Sequence, residues 1–220
     1  TFDTGDSTVS GHPFRLSGLS DGTHHGTTLY SVDFDGTDDQ IYSDAYSTDY
    51  WFDGDFTLEY FCYPDVDPDG KVTVEFAQLA SSNSGTAWQI YHTNYKPRLW
   101  TTAANVAGTV SMTQSAWNHV VFCRKGSTLM SFVNGEISVN STGYPSSIGG
   151  SNANNKLGIG FQWNGGPTGF IDGKISNVRI VKGTCLYTQD FAPPVVPLAN
   201  VSGTTVLCCQ SSSVTDATVL

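Results

Sequence analysis

Positive charge is scarce in this chain of 220 residues. Ten Lys plus Arg stand against 20 Asp plus Glu, a formal net charge of −10 at pH 7. Phosphate recognition needs a basic patch, and Lys and Arg form no cluster along the sequence. Nucleic acid and anionic membrane surfaces are therefore not expected partners. Glutamate is scarcer still, with only Glu59, Glu75 and Glu136. Retaining glycoside hydrolysis requires two carboxyl groups about 5 Å apart, and none of the three has a second carboxylate within four positions on its own strand pattern. Neither a His-Glu-x-x-His zinc pattern nor a phosphate loop occurs, and the five His are scattered at His12, His24, His25, His92 and His119. The expectation is a protein that is not an enzyme and has no catalytic residues.

Other absences narrow the fold. No stretch keeps a 3.6-residue apolar period, so almost no helix is expected. No long apolar run marks a membrane span or a signal peptide. The chain begins at Thr1 rather than Met, which suggests processing or a place within a longer protein. The five cysteines, Cys62, Cys123, Cys185, Cys208 and Cys209, are odd in number and lack metal-ligand spacing. Most sit in apolar strand patterns, where a free thiol behaves as a small hydrophobe, and this points to folding in a reducing cytosol.

Strand and turn chemistry is abundant. Charged residues are 14% of the chain, against about 25% in an average domain, and polarity comes instead from Ser, Thr, Asn and 23 Gly. Residues 1–28 read as an irregular lead-in of Gly, Ser, Thr and Asp. Alternating segments follow at Leu29–Phe34, Phe56–Tyr63, Lys71–Leu79, Thr86–Tyr91 and Arg98–Thr101. The clearest run is Trp117–Val139. It is a strand ending at a Lys-Gly turn, a return strand, the hairpin signal Asn134-Gly135, and a further strand. Trp117, Val121, Phe132 and Ile180 are expected in the sandwich core, and His119 as a satisfied structural histidine. Lys156–Gln162, Gly169–Val181 and Thr204–Gln210 complete the strands, and Ala192–Pro197 is a stiff connector. About a dozen short strands in one chain imply an all-β, two-sheet antiparallel jelly-roll sandwich. The expected organisation is a lead-in over 1–28, the jelly roll over 29–191, and a Pro-rich connector, final strand and polar tail over 192–220.

Several of these strings resemble the laminin-G-like domains of the concanavalin A-like lectin/glucanase superfamily. YSVDFDGTDDQI resembles the opening strand, FTLEYFCYPD the second, SAWNHVVFCRKGSTLMSFVNGEIS the Trp-His-Val hairpin, and GFIDGKISNVRIVKGTCLYTQDF the closing strand. The last string, continued through APPVVPLANVSGTTVLCCQ, also resembles laminin-G-like domains of marine bacteriophage virion proteins, as does GHPFRLSGLSDGTHHG. The resemblance implies a tail fibre, head fibre or capsid decoration, made in the host cytoplasm and displayed on the virion surface. It implies virion proteins or copies of itself as partners, a homo-oligomer with a trimer first, lectin-like adhesion to host-surface polysaccharide, and no membrane insertion. The alternative is a carbohydrate-binding or adhesion module of a secreted bacterial protein.

Two kinds of binding site are visible in the residues. Aromatic faces stack on the C–H surfaces of sugars while amides bond the hydroxyls, and Trp51, Trp88, Tyr91, Tyr95, Trp100 and Trp163, with Asn164, Asn94 and Asn154, lie in or beside loops and strand ends. Asp65, Asp67 and Asp69 precede Gly70 in an Asp-x-Asp-x-Asp-Gly string that can converge on calcium. The chelating Glu of an EF-hand loop would fall at Phe76, however, and Glu75 is off register. Asp35, Asp38 and Asp39 form a second acidic turn, whereas Asp53 and Asp55 read as turn residues.

Overall fold

The computed structural model describes residues 2–4, 8–10, 30–43, 47–66, 73–79, 86–102, 104–144, 147–148, 156–210 and 218–219. The strands in chain order are β1 (Phe2–Thr4), β2 (Thr8–Ser10), β3 (Ser31–Asp35), β4 (Ile41–Ser43), β5 (Phe56–Val66), β6 (Thr73–Leu79), β7 (Thr86–Thr93), β8 (Lys96–Thr101) and β9 (Asn105–Ala107). They continue as β10 (Asn118–Lys125), β11 (Thr128–Val133), β12 (Glu136–Ser141), β13 (Lys156–Ile159), β14 (Gln162–Trp163), β15 (Pro167–Thr168), β16 (Asp172–Lys182), β17 (Thr204–Cys208) and β18 (Thr218–Val219). Among the described residues the one helical turn is the 3-10 segment Thr48–Tyr50, capped by Ser47, whose hydroxyl accepts the Asp49 N–H.

Two antiparallel sheets pack face to face. The front sheet has seven strands in the order β1-β4-β13-β6-β7-β8-β9. The back sheet runs β12-β11-β10-β5-β16-β17-β18, and β3 pairs with β16 and β2 with β3. The 11-residue strand β16 serves two partners on one side, β3 through Asp172–Ile175 and β17 through Val178–Val181. The positive φ of Asn177 marks the break between these pairings. Alternate residues of both sheets fill the interior: Leu58, Tyr60 and Cys62 of β5, Val120 and Phe122 of β10, Phe76, Trp88, Ile90 and Leu99 of the front sheet, and Ile175, Val178 and Ile180 of β16.

The turns obey local chemistry. Asn134 and Gly135 have φ of 51° and 80°, as a type I′ hairpin turn requires. Asn94 and Tyr95 do the same between β7 and β8, with φ of 53° and 58°. Residues 184–199 then run as a strap over the outer face of the back sheet. Phe191 N–H donates to the Gly135 carbonyl at 3.0 Å, Leu186 N–H to Thr57 Oγ1 at 2.9 Å, and Leu198 N–H to Asn177 Oδ1 at 2.9 Å. Beneath it Val121, Cys123, Met130 and Phe132 are buried with Cys185, Tyr187 and Phe191.

Three expectations need correction. Val121 and Phe132 are buried, but under the strap rather than between the sheets; Ile180 alone of the four lies in the sandwich core. Trp117 is half-buried and edge-on to Tyr63 at 5.6 Å. The cause is strand parity: Val120 faces inward, so Trp117, like His119 and Val121, belongs to the outer face. The lead-in and tail are not wholly irregular, because β1 and β2 extend sheet edges and β18 pairs with β17. Strand β17 thus spends its hydrogen bonds within its own chain, on β16 and β18.

Candidate functional site

The outer face of the back sheet is closed by a buried polar network. Glu59 and Arg179 form a fork, with Arg179 Nε and Nη2 donating to Glu59 Oε1 at 2.9 and 2.5 Å. Glu59 Oε2 accepts from Tyr187 Oη at 2.9 Å and lies 3.1 Å from His119 Nε2. Arg179 Nη1 also donates to the Ala199 carbonyl at 2.6 Å. Burial alone would raise the Glu59 pKa, but hydrogen bonding and charge from His119 and Arg179 outweigh it and hold the carboxyl below its ordinary value. Burial and the adjacent Glu59 push the Tyr187 hydroxyl well up. His119 is a buried structural histidine as expected, but it is satisfied on Nε2 alone, because its Nδ1 is buried without a hydrogen-bond partner among the described residues. Tyr187 and Arg179 fasten the strap to the network.

The front sheet's outer face is different. Alternation along β8 turns Lys96, Arg98 and Trp100 outward while Pro97, Leu99 and Thr101 are buried. Register aligns Tyr42 with Gly158, Gly158 with Ala77, Ala77 with Gln89, Gln89 with Trp100, and Trp100 with Asn105. The neighbouring row is Val74, Tyr91, Arg98 and Ala107. Chain leaving β13 at Gly160 forms the β14–β15 hairpin over β6 and β7, and returns where Val74 N–H donates to the Gly169 carbonyl at 2.9 Å. Val74, Ala77, Tyr91 and Phe161 form a buried layer, and the partly exposed rings of Tyr42, Trp100, Trp163 and Phe170 pack against it. Tyr42 meets Phe161 edge-on at 6.5 Å, and Phe161 stacks on Phe170 at 6.4 Å. Tyr91 Oη donates to Asn105 Oδ1 at 3.1 Å. Lys156 Nζ lies 5.0 Å from the Tyr42 ring centroid. The result is an aromatic platform held flat by a pleated sheet.

Of the aromatic residues expected at a sugar site, the structure brings Tyr91, Trp100 and Trp163 together here. Tyr91 is in the supporting layer. Asn164 is exposed at the tip of the Trp163 hairpin, where its N–H donates to the Gly166 carbonyl. Trp88 does not belong: it is fully buried between the sheets, and its Nε1 donates to the Tyr50 carbonyl at 2.8 Å. Adjacent inward parity puts it one residue out of phase with Gln89 and Tyr91. Trp51 lies elsewhere, donating to Ser147 Oγ at 2.6 Å. Tyr95 packs against the main core, parallel to His92 at 6.2 Å. Asn94 is exposed in its turn, and Asn154 falls outside the described residues. Sequence reading missed Tyr42, Gln89, Arg98, Lys156 and Phe170; the outward alternation of KPRLWT was the one signal that could have found Arg98.

Of the calcium string, only Asp65 lies among the described residues. Asp65 is taken up by Lys174, whose Nζ lies 3.2 Å from it and 3.1 Å from Asp33. Asp67 and Asp69 lie outside the described residues. The carboxylates of Asp35, Asp38 and Asp39 do fall within 4.8 Å of one another. Their closeness follows from the turn itself, since Asp39 Oδ2 accepts the Asp35 N–H at 2.9 Å and Asp35 Oδ1 the Thr37 N–H at 2.8 Å. Nearby, burial first and then Asp65 and Asp35 raise the pKa of Asp172. This is a backbone-capped acidic turn and carries no metal assignment.

Residues 35–187 match the family described as the concanavalin A-like lectin/glucanases superfamily. The chain belongs to that superfamily, and its sandwich is a lectin-like jelly roll. Similar solved structures include a protein of Bacteroides ovatus described as a candidate carbohydrate binder, with TM-score 0.57, 15% identity, and coverage of 81% of this chain and 50% of that one. The heptameric SAP-like pentraxin of Limulus polyphemus gives TM-score 0.51, 14% identity, and coverage of 68% and 74%. Domain 4 of the extracellular arabinanase of Geobacillus stearothermophilus, solved with arabinotriose, gives TM-score 0.50, 17% identity, and coverage of 82% and 84%. At these identities the likeness is one of fold. No curated protein matches the chain in sequence.

Proposed function

We propose that the chain is a non-enzymatic carbohydrate-binding module whose ligand lies on the outer face of the front sheet. The observation that carries this reading is the platform itself. Tyr42, Trp100, Trp163 and Phe170 are partly exposed rings on one rigid surface, braced from below by Val74, Ala77, Tyr91 and Phe161. Soluble domains rarely leave such a surface without a use, and ring faces beside amide and cationic side chains match the alternating C–H faces and hydroxyls of a sugar chain. A family of lectins and glucanases, a candidate carbohydrate binder and a domain solved with arabinotriose among similar folds support the ligand class.

The non-enzymatic part is supported by the carboxylates. Glu59 and Glu75 are buried with Arg179, His119 and His92 as partners, and Glu136 sits at the β11–β12 turn. None of the three is on the platform. A glycan array probed with wild type and with Trp100→Ala tests binding, and a reducing-end assay on laminarin, agar and alginate tests catalysis. Array signals that Trp100→Ala does not diminish, or turnover lost in Glu59→Gln, would overturn the proposal.

The finer reading is display on a bacteriophage particle, as a fibre or capsid decoration that adheres to host-surface glycans as a trimer. It is supported by the resemblance of the closing string Val178–Gln210 and by an apolar exposed stretch at Val195, Val196 and Val201 that suits packing against other subunits. Mass spectrometry of purified virions and the solution mass of the isolated protein test it. A monomeric protein absent from any particle would favour the secreted-module alternative. Among the described residues no helix is long and apolar enough to cross a membrane.

A further inference from the structure

Cations outnumber acids on the platform strands although the chain as a whole is acidic. The front-sheet strands from β4 to β9, namely β4, β6, β7, β8, β9 and β13, carry Lys96, Arg98 and Lys156 and a single carboxylate, Glu75. Glu75 turns inward and is ion-paired with the buried His92. The hairpin segment 160–170 has no charged residue. On the edge strand β1, Asp3 pairs in register with Tyr42. Strand β8, which carries Arg98 and Lys96, lies five strands from that edge strand, about 24 Å at a strand spacing near 4.8 Å. The acidic residues Asp33, Asp35, Asp65 and Asp172 belong to the back sheet.

The distances decide which charges a bound ligand feels. Stacked sheets lie about 10 Å apart, and the Debye length is about 8 Å at physiological salt. Back-sheet aspartates are thus screened from the platform, whereas Lys96, Arg98 and Lys156 are in contact range. Arg98 also has an unmet bonding capacity: its Nε is buried with no hydrogen-bond partner, beside Trp100 on the same strand and opposite Tyr91. A guanidinium matches a planar carboxylate or a sulfate better than a hydroxyl.

We propose that the platform selects anionic glycans, with carboxylated sugar units held by Arg98 and supported by Lys96 and Lys156 while Trp100 and Trp163 stack on the rings. This rests on the carbohydrate-binding reading and narrows its ligand class. Three cations are too few for the many phosphate contacts of a nucleic-acid site, and hydroxyl-rich rings suit the amides of Gln89 and Asn105.

The test uses probes that share one backbone. Polygalacturonate and its fully methyl-esterified form differ in whether each carboxyl is an anion or a neutral methyl ester, and a neutral glucan and a single-stranded oligonucleotide complete the set. Binding is measured by affinity electrophoresis for wild type, Arg98→Gln and Arg98→Lys. Polygalacturonate should bind more tightly than its ester and lose affinity as salt rises. Arg98→Gln should weaken it by about tenfold, the scale of one charge-assisted hydrogen bond, with Arg98→Lys in between and the ester unaffected. Equal binding of acid and ester, or polygalacturonate binding that Arg98→Gln leaves unchanged, would overturn this inference and leave the sugar platform standing. Preference for the oligonucleotide, or no binding of any polysaccharide, would overturn both.

Discussion

Single residues separate the core from the platform. Trp88 and Trp100 lie one strand apart, yet one is fully buried and the other lines solvent. Trp88→Ala should cost about 3–5 kcal/mol by opening a cavity between the sheets, read as a lowered urea midpoint. Trp100→Ala should stay within about 1 kcal/mol of wild type and change binding instead. Glu59 gives a pH prediction. Its pKa is lowered in the folded protein, so its contribution is present above the ordinary glutamate range and is lost as pH falls through the folded value. Glu59→Gln should lower stability at neutral pH, because it leaves Arg179 buried without its counter-charge. It should also flatten the acid limb of a stability–pH curve. An acid limb unchanged in Glu59→Gln would assign acid unfolding to other groups. The outward place of Trp100 was readable in the Lys96-Arg98-Trp100 alternation of β8, but the inward place of Trp88 was not, because TAWQIYHT has aromatic rings on both of its faces.

Among the elements, those with strong local chemistry were readable and those made by pairing were not. The Asn134-Gly135 hairpin and the long strands β5, β10 and β16 follow from turn residues and alternation. The three-residue strand β4 has no pattern of its own and exists because β13 and β1 pair with it; Tyr42 was missed for that reason. The strap was read as a connector, since a Pro-rich segment without periodicity gives no sign of which face it covers. Gly135 joins hairpin and strap: a Cβ there would fall 1.9 Å from the Phe191 carbonyl oxygen, and φ is 80°. Gly135→Val should therefore destabilise by more than the ~1–3 kcal/mol of backbone strain alone and should expose the strap to proteolysis near Phe191. An unchanged denaturation midpoint would contradict the turn assignment.

The whole molecule uses its two outer faces for opposite ends. The back face is sealed by residues 184–199 through the Glu59–Arg179–His119–Tyr187 network and Gly135. The front face keeps aromatic rings partly exposed. The fold was legible as a whole because composition, turn spacing and family strings agreed. The site was only partly so, since a platform is defined by register across strands distant in sequence. The most direct test is affinity electrophoresis of wild type, Trp100→Ala and Trp51→Ala through gels containing polygalacturonate, with folding of each checked by thermal melting. The account predicts retardation of wild type and Trp51→Ala and free migration of Trp100→Ala. Equal retardation of a folded Trp100→Ala, or loss in Trp51→Ala alone, would place the binding surface elsewhere and contradict it.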